Sequence, residues 1–168
     1  MTASAAADIL RTLADAGATA IVSGGWAIDA LVGRQTRRHD DLDLWLPAAD
    51  LALFIRAFTN SGLDRLYPWG DDRPWNFVVH DGDRRRVDLH LFELVDAVSV
   101  HYGSIEDGIV FPMDALRGRG VLDGFEVDCE SPEWALRWHT GYPIRPVDTH
   151  DVRVLCEHFD LELPEQYR

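Results

Sequence analysis

The sequence predicts an α+β protein, a mixed sheet flanked by helices and closed by a short C-terminal helical part. Three observations predict it. A short β-rich run ends in a diglycine and resumes as a helix between residues 19 and 33. Apolar and acidic residues alternate at 41–46 and again at 86–94, the period of strands with one apolar face. From Ser131 onward the helical period returns.

Taken in order, Ile9, Leu10 and Leu13 lie at helical spacing within Ala5–Ala16, and Asp15-Ala16-Gly17 stops that helix. Thr19–Ser23 reads as a strand, Gly24-Gly25 as a tight turn, and Trp26–Val32 as a helix ending at Gly33. Asp41–Leu46 is a second strand, closed by Pro47. Ala48–Ser61 is amphipathic, with Leu51, Phe54, Ile55 and Phe58 on one face and Gly62 as its cap. Leu63–Tyr67 and Trp75–His80 read as strands, and Asp81-Gly82-Asp83 as a hairpin turn into Arg86–Leu94. The glycine-rich stretch 98–127 holds short strands near Ile109–Phe111 and Phe125–Val127. Ser131-Pro132-Glu133 supplies an N-cap and a first-turn proline for a helix at Trp134–His139, and the last helix runs from Asp148, its N-cap, to Phe159. No repeat or linker divides the chain. Residues 1–130 are therefore expected to form one domain, with 131–168 packed on it as a helical extension.

Composition narrows the function. At 168 residues, 46% hydrophobic and with six tryptophans, the chain can bury a real core and is not disordered. No apolar run is long enough to span a bilayer and Met1–Ala7 lacks the basic start and apolar centre of a signal peptide, so a cytoplasmic protein is expected. The two cysteines, Cys129 and Cys156, lack the spacing of a disulfide framework or a thiolate zinc site. A net charge of −13 argues against a nucleic-acid partner, because phosphate contacts need a basic face, and suits a cationic small molecule or metal ions. Every basic residue counted among the 16 is arginine, which excludes lysine chemistry altogether.

The carboxylates carry the chemistry. Asp41 and Asp43 share one face of their strand, with Cα atoms about 7 Å apart, while Leu42 and Leu44 face the core. That spacing lets both reach hard divalent cations of the kind that clamp the attacking and leaving oxygens of a phosphoryl transfer. Val87-Asp88-Leu89-His90 repeats the alternation, and the hairpin that precedes it can bring Asp88 alongside as a third acid. A solvated edge strand would explain Asp41 and Asp43 equally well on their own. The neighbourhood favours the metal site: a strand ending in diglycine at a helix start offers backbone N–H groups and a helix dipole to phosphate, through Ser23, Gly24 and Gly25.

The motifs Gly24-Gly25-Trp26-Ala27-Ile28-Asp29, Gly33-Arg34-Gln35-Thr36-Arg37 and His39-Asp40-Asp41-Leu42-Asp43 resemble the core of the small antibiotic nucleotidyltransferases, the group of lincosamide and aminoglycoside 2''-nucleotidyltransferases. Val87-Asp88-Leu89-His90 and the tail His139-Thr140-Gly141-Tyr142, Asp148 and Asp151-Val152 extend the likeness, the tail toward the lincosamide branch. The resemblance implies the DNA polymerase β-like nucleotidyltransferase fold. It also implies transfer of AMP from ATP, or another nucleoside triphosphate, with Mg²⁺, to a hydroxyl of a small antibiotic-like acceptor. Asp41, Asp43 and Asp88 would be the metal carboxylates and catalytic acids, with Asp88 or Asp148 as base. Arg37 and His39 would contact phosphate or brace the loop. Asp29 is expected to fix that loop by pairing with an arginine, Trp26 and Trp45 to be core, and Arg84-Arg85-Arg86 to be a solvated hairpin face. Trp69, Trp75, Trp134, Trp138 and Tyr142 form a reserve of aromatic surface for an acceptor. No membrane partner is expected, and the protein is expected to be a monomer or homodimer.

Two other readings stand beside this one. His39-Asp40 and His150-Asp151 resemble the doublets of HD-type metal phosphohydrolases, but those ligands need helices and Asp40 leads into a strand. A degenerate nucleotidyltransferase-fold binding or antitoxin-like protein is the non-enzymatic alternative. The presence of all three acids favours catalysis.

Overall fold

The computed structural model describes residues 1–68 and 76–168. The expected α+β architecture is borne out, and among the described residues it contains nine strands in one sheet and five α-helices. The strands are β1 (Ile21–Ser23), β2 (Leu42–Pro47), β3 (Arg65–Pro68), β4 (Phe77–His80), β5 (Arg86–Leu94), β6 (Ser99–Tyr102), β7 (Ile109–Pro112), β8 (Gly118–Leu122) and β9 (Phe125–Cys129). The helices are α1 (Ala3–Asp15), α2 (Gly24–Val32), α3 (Leu51–Asn60), α4 (Pro132–Trp138) and α5 (Pro146–Phe159).

The main path of the sheet runs β3-β4-β5-β2-β1-β9-β8, with β6 and β7 continuing from the far end of β5. Strand β2 lies inside the sheet, antiparallel to β1 and parallel to β5. An edge-strand explanation of its acidic face is therefore removed. The expected hairpin exists between β4 and β5, but Asp88 reaches the first acidic strand by direct parallel pairing of β5 with β2.

Alternation along these strands separates two cores. Leu42, Leu44, Leu46, Val87 and Leu89 face α1 and α3 and pack with Leu10, Leu13, Trp26, Phe54 and Phe58. Each such fully buried side chain contributes about 1.5–3 kcal/mol. On the other face Trp45, Phe92, Val100 and Phe111 pack with Trp134 and Trp138 of α4. The C-terminal part rests on α2, where Ile28 meets Ala135 and Leu155.

Several boundaries differ from the sequence expectation. Helix α2 begins at Gly24, so the diglycine is its first turn and not a separate link. Strand β2 begins at Leu42, which leaves Asp41 just ahead of it. A 3-10 turn at Ala48–Asp50 precedes α3. Strands β6 and β8 lacked a period-two signal, because Ser99–Tyr102 is four residues long and Gly118–Leu122 carries two glycines. Asp148 is the third helical residue of α5, not its N-cap; Pro146 opens the helix and the N-cap is Arg145. Trp69 and Trp75 lie outside the described residues.

Helix α2 sits tightly on the sheet because Gly120 has no side chain. A Cβ there would stand 2.5 Å from the backbone of Ala30. Gly120→Val is expected to force α2 off β8 and destabilise the protein by about 3 kcal/mol, read as a lowered midpoint in chemical denaturation.

Candidate active site

Sheet register builds the site. Ser23 on β1 pairs with Asp43 on β2, and Asp43 pairs in turn with Asp88 on β5, so the three stand in one row across three strands. Neighbouring strands are about 4.8 Å apart, and paired residues point to the same face, here the one opposite the main core. Gly24, one residue past the row, has φ +61°, and a Cβ on it would lie 2.6 Å from Asp43 Oδ2. Only glycine brings the helix start this close to the carboxylate. Asp41 completes the group from the residue before β2, where its carbonyl accepts a 2.9 Å hydrogen bond from Trp26 Nε1.

The charges are partly compensated within the protein. Arg86 Nε and Nη2 donate to the two oxygens of Asp88 at 3.0 and 3.2 Å, and its Nη2 is 3.8 Å from Asp41 Oδ2. Arg86 is thus part of the acidic site, contrary to the expected solvated face; Arg85 instead pairs with Asp81 at 2.9 Å. His90 Nε2 lies 3.4 Å from Asp43 Oδ1. Burial pushes Asp88 up to about 6, aided by the charges of Asp43 and Asp41 and opposed by the Arg86 hydrogen bonds. Burial and Asp43 likewise raise Asp41. Burial works to raise Asp43 as well, but the hydrogen bond and charge of His90, with Arg145 and Arg86, hold it below the usual carboxylate range.

A second layer of buried polar pairs holds the row. Ser23 Oγ and Trp45 Nε1 both donate to Glu130 Oε1 at 2.6 Å, joining β1, β2 and the residue after β9. His39 Nε2 lies 2.5 Å from Asp29 Oδ2, whose other oxygen accepts from the backbone and hydroxyl of Thr36. The expected partner of Asp29 was an arginine; the histidine and threonine take that place. Arg37 forms a fork on Asp151 of α5 at 2.7 and 2.6 Å. Both Arg37 and His39, candidates for phosphate contact, are therefore engaged as braces, and His39 is buried.

These braces also explain Gly25. A Cβ there would meet Arg37 Nη2 at 2.2 Å and the His39 ring at 2.7 Å, so the chain's own side chains cover the glycine. The packing of Arg37 and His39 is thus a sufficient reason for glycine at this position. The first-turn N–H groups of α2 remain donors without intrahelical acceptors.

Of the other expected residues, Trp26 and Trp45 are core. Trp134 and Trp138 stack around Phe111, and Trp138 also meets Trp45. Tyr142 donates to Asp148 at 3.1 Å, and Asp148 also accepts from the backbone and guanidinium of Arg145. Burial acts to raise Asp148, but these hydrogen bonds hold it low. Sequence reasoning missed Glu130, Arg86 and the Asn76–Tyr102–His90 chain, in which Tyr102 donates to Asn76 and lies 3.1 Å from His90. Glu130, Arg86, Asn76 and Tyr102 carried no motif signal; Glu130 and the Asn76–Tyr102–His90 chain draw their partners from other elements, while Arg86 pairs with Asp88 on its own strand.

The donor set fits a hard divalent cation: three carboxylates on one face, two of them raised by burial and further by repulsion between the acids. Among the described residues no three His, Cys, Asp or Glu side chains close into a ready metal cluster. The Arg86 guanidinium spans Asp41 and Asp88 instead.

A carboxylate row beside a glycine-started helix on a mixed sheet is the arrangement that the resemblance to the nucleotidyltransferases implies. The chain belongs to the aminoglycoside-2''-adenylyltransferase family, whose model matches residues 6–155. It is 27% identical to a lincosamide resistance protein of Staphylococcus haemolyticus over 80% of this chain and 81% of that one. A 2''-aminoglycoside nucleotidyltransferase of Klebsiella pneumoniae is 65% identical over 26 residues, 16% of this chain and 15% of that protein. Among solved structures, the lincomycin-bound lincosamide antibiotic adenylyltransferase LnuA superposes with a TM-score of 0.74 at 25% identity, covering 88% of this chain and 91% of that one. ANT(2'')-Ia in complex with adenylyl-2''-tobramycin shares the fold, with a TM-score of 0.72 at 24% identity over 94% of this chain and 88% of that one. The expected family, fold and enzyme class are borne out. A nucleoside triphosphate co-substrate follows from the family, and no helix among the described residues is long and apolar enough to cross a membrane.

Gly25→Ala is expected to displace Arg37 and His39 together. Thermal stability and nucleotide affinity should fall in parallel, measured by melting curves and calorimetric titration; a fully stable variant with lost nucleotide binding would show that Gly25 serves phosphate alone.

Proposed function

We propose that the protein transfers AMP from Mg²⁺-ATP to a hydroxyl of an amine-bearing antibiotic of the aminoglycoside or lincosamide type and releases pyrophosphate. The observation that carries this is the register that sets Asp43 beside both Asp88 and Gly24. In this reading Asp41, Asp43 and Asp88 hold the cation, which when bound neutralises phosphate charge and supplies a Lewis acid.

The chain's own groups do the rest. The first-turn N–H groups of α2, at Gly24 and Gly25 after Ser23, orient the triphosphate through the helix dipole. Arg37 and His39 act on phosphate only indirectly, by fixing that turn against α5 and Asp29. Asp88 accepts the proton as the acceptor oxygen bonds to the α-phosphorus and the bond to pyrophosphate breaks. Asp148 is a poorer base than Asp88, because its hydrogen bonds from Arg145 and Tyr142 hold it below the usual carboxylate range while Asp88 is raised to about 6. Positioning and electrostatics therefore supply most of the rate. The acidic surface draws a cationic acceptor, and residues 131–168 support the aromatic wall beside the nucleotidyltransferase domain of residues 1–130.

Incubation with ATP and Mg²⁺ and a panel of aminoglycosides and lincosamides should give one product heavier by an adenylyl group in mass spectra, with pyrophosphate released. Release of inorganic phosphate instead would sink the reading. Asp43→Asn should keep the fold and lower the rate about a thousandfold or more.

The pH dependence has a definite sign. Asp88 is raised to about 6 from 3.8, so its charge costs stability as pH rises through that window. A cation needs the charged form. The rise in melting temperature caused by Mg²⁺ is therefore expected to be small at pH 5 and larger at pH 7, and to shrink in Asp88→Asn.

A further inference from the structure

Arg86 and Asp88 are two residues apart on β5 and project from the same face of the sheet. The guanidinium fork takes both oxygens of Asp88, at 3.0 and 3.2 Å, and extends to within 3.8 Å of Asp41. Those oxygens are the ones that a cation held by Asp41 and Asp88 requires. The Asp88 side chain is 7% exposed and that of Arg86 34%, so the carboxylate is enclosed while part of the arginine side chain meets solvent. A carboxylate in a guanidinium fork has given up one lone pair on each oxygen, and the positive charge of the fork repels an incoming cation.

We propose that Arg86 is a resident counter-cation that holds the acidic row closed until a divalent cation displaces it, and that the displaced guanidinium then binds the triphosphate. This rests on the metal reading of Asp41, Asp43 and Asp88. Without the arginine, three carboxylates on one face would repel one another in the nucleotide-free protein. With it, a cation arriving alone must give up the energy of the Arg86–Asp88 fork. A cation arriving with a nucleotide meets no such loss, because the phosphates take over the guanidinium. Nucleotide and metal thus load together, and the site discriminates against free metal.

Mn²⁺ binding followed by electron paramagnetic resonance tests this in the wild type, Arg86→Gln and Arg86→Lys, with and without a non-hydrolysable ATP analogue. Arg86→Gln is expected to bind Mn²⁺ alone about tenfold more tightly, and the analogue about tenfold more weakly. A merely structural role would not move the two affinities in opposite directions. Arg86→Lys, which keeps the charge but loses the fork, should shift both the same way by less, and serves if the glutamine variant fails to fold. Mn²⁺ affinity in both variants equal to or below that of the wild type would overturn the proposal. Asp43→Asn provides the separate control: if it leaves wild-type Mn²⁺ binding unchanged, the metal reading itself is wrong and the proposal falls with it.

Discussion

The register of β2 between β1 and β5 is the constraint on which the rest depends. It places Asp43 between Ser23 and Asp88, and it places Leu42 and Leu44 in the main core in the same stroke. A slip of one residue would exchange the two sets, putting carboxylates among Trp26 and Phe54 and leucines on the site face. Such a slip would bury unpaired charge and expose apolar area at once. The energy that folds the sheet therefore also positions the acids, with no separate device for the site.

A site of this kind has to tolerate its own repulsion. The protein does so by giving the acids local partners: Arg86 for Asp88 and Asp41, His90 for Asp43. The turn beside them is held by pairs at greater sequence distance, Arg37 with Asp151 across 114 residues and Ser23 with Glu130 across 107. Helix α5 and the end of β9 are thus tied to the glycine turn by buried, charge-assisted bonds, and α5 cannot move without disturbing Arg37. The C-terminal helices therefore brace the site electrostatically as well as packing on α2.

Much of this was legible in the sequence. Alternation at 41–46 and 86–94 exposed both acidic strands, and the diglycine exposed the helix start, because such signals are local and periodic. What was not legible was non-local. Asp88 stands two residues from Arg86 on its own face, but the approach of Arg86 to within 3.8 Å of Asp41 depends on the pairing of β5 with β2, while Arg84 stays solvent-exposed. Asp29 was seen to fix the loop, but its partner could not be chosen among Arg34, Arg37 and His39 without the path of the chain. Gly25 was read through its usual use, whereas its surroundings are set by two side chains that fold back over it. Glu130 carried no signal, since one acid between a strand and a helix is common on a surface and here is buried.

Glu130 shows how the acidic row and the aromatic cluster, both on one face of the sheet, are joined. Burial raises its carboxyl, and the bonds from Ser23 and Trp45 oppose that rise without satisfying Oε2, which has no partner among the described groups. A buried carboxylate is a costly way to join three strands, and an apolar residue of similar size would cost less. What it adds is direction: Trp45 is fixed by its indole N–H and so is the aromatic cluster around it, while Ser23 is fixed at the start of α2. The start of α2 and the aromatic wall thus share one anchor. In the proposed reaction, which must align two substrates, such an anchor would set the distance between the turn proposed to receive one and the wall beside the other.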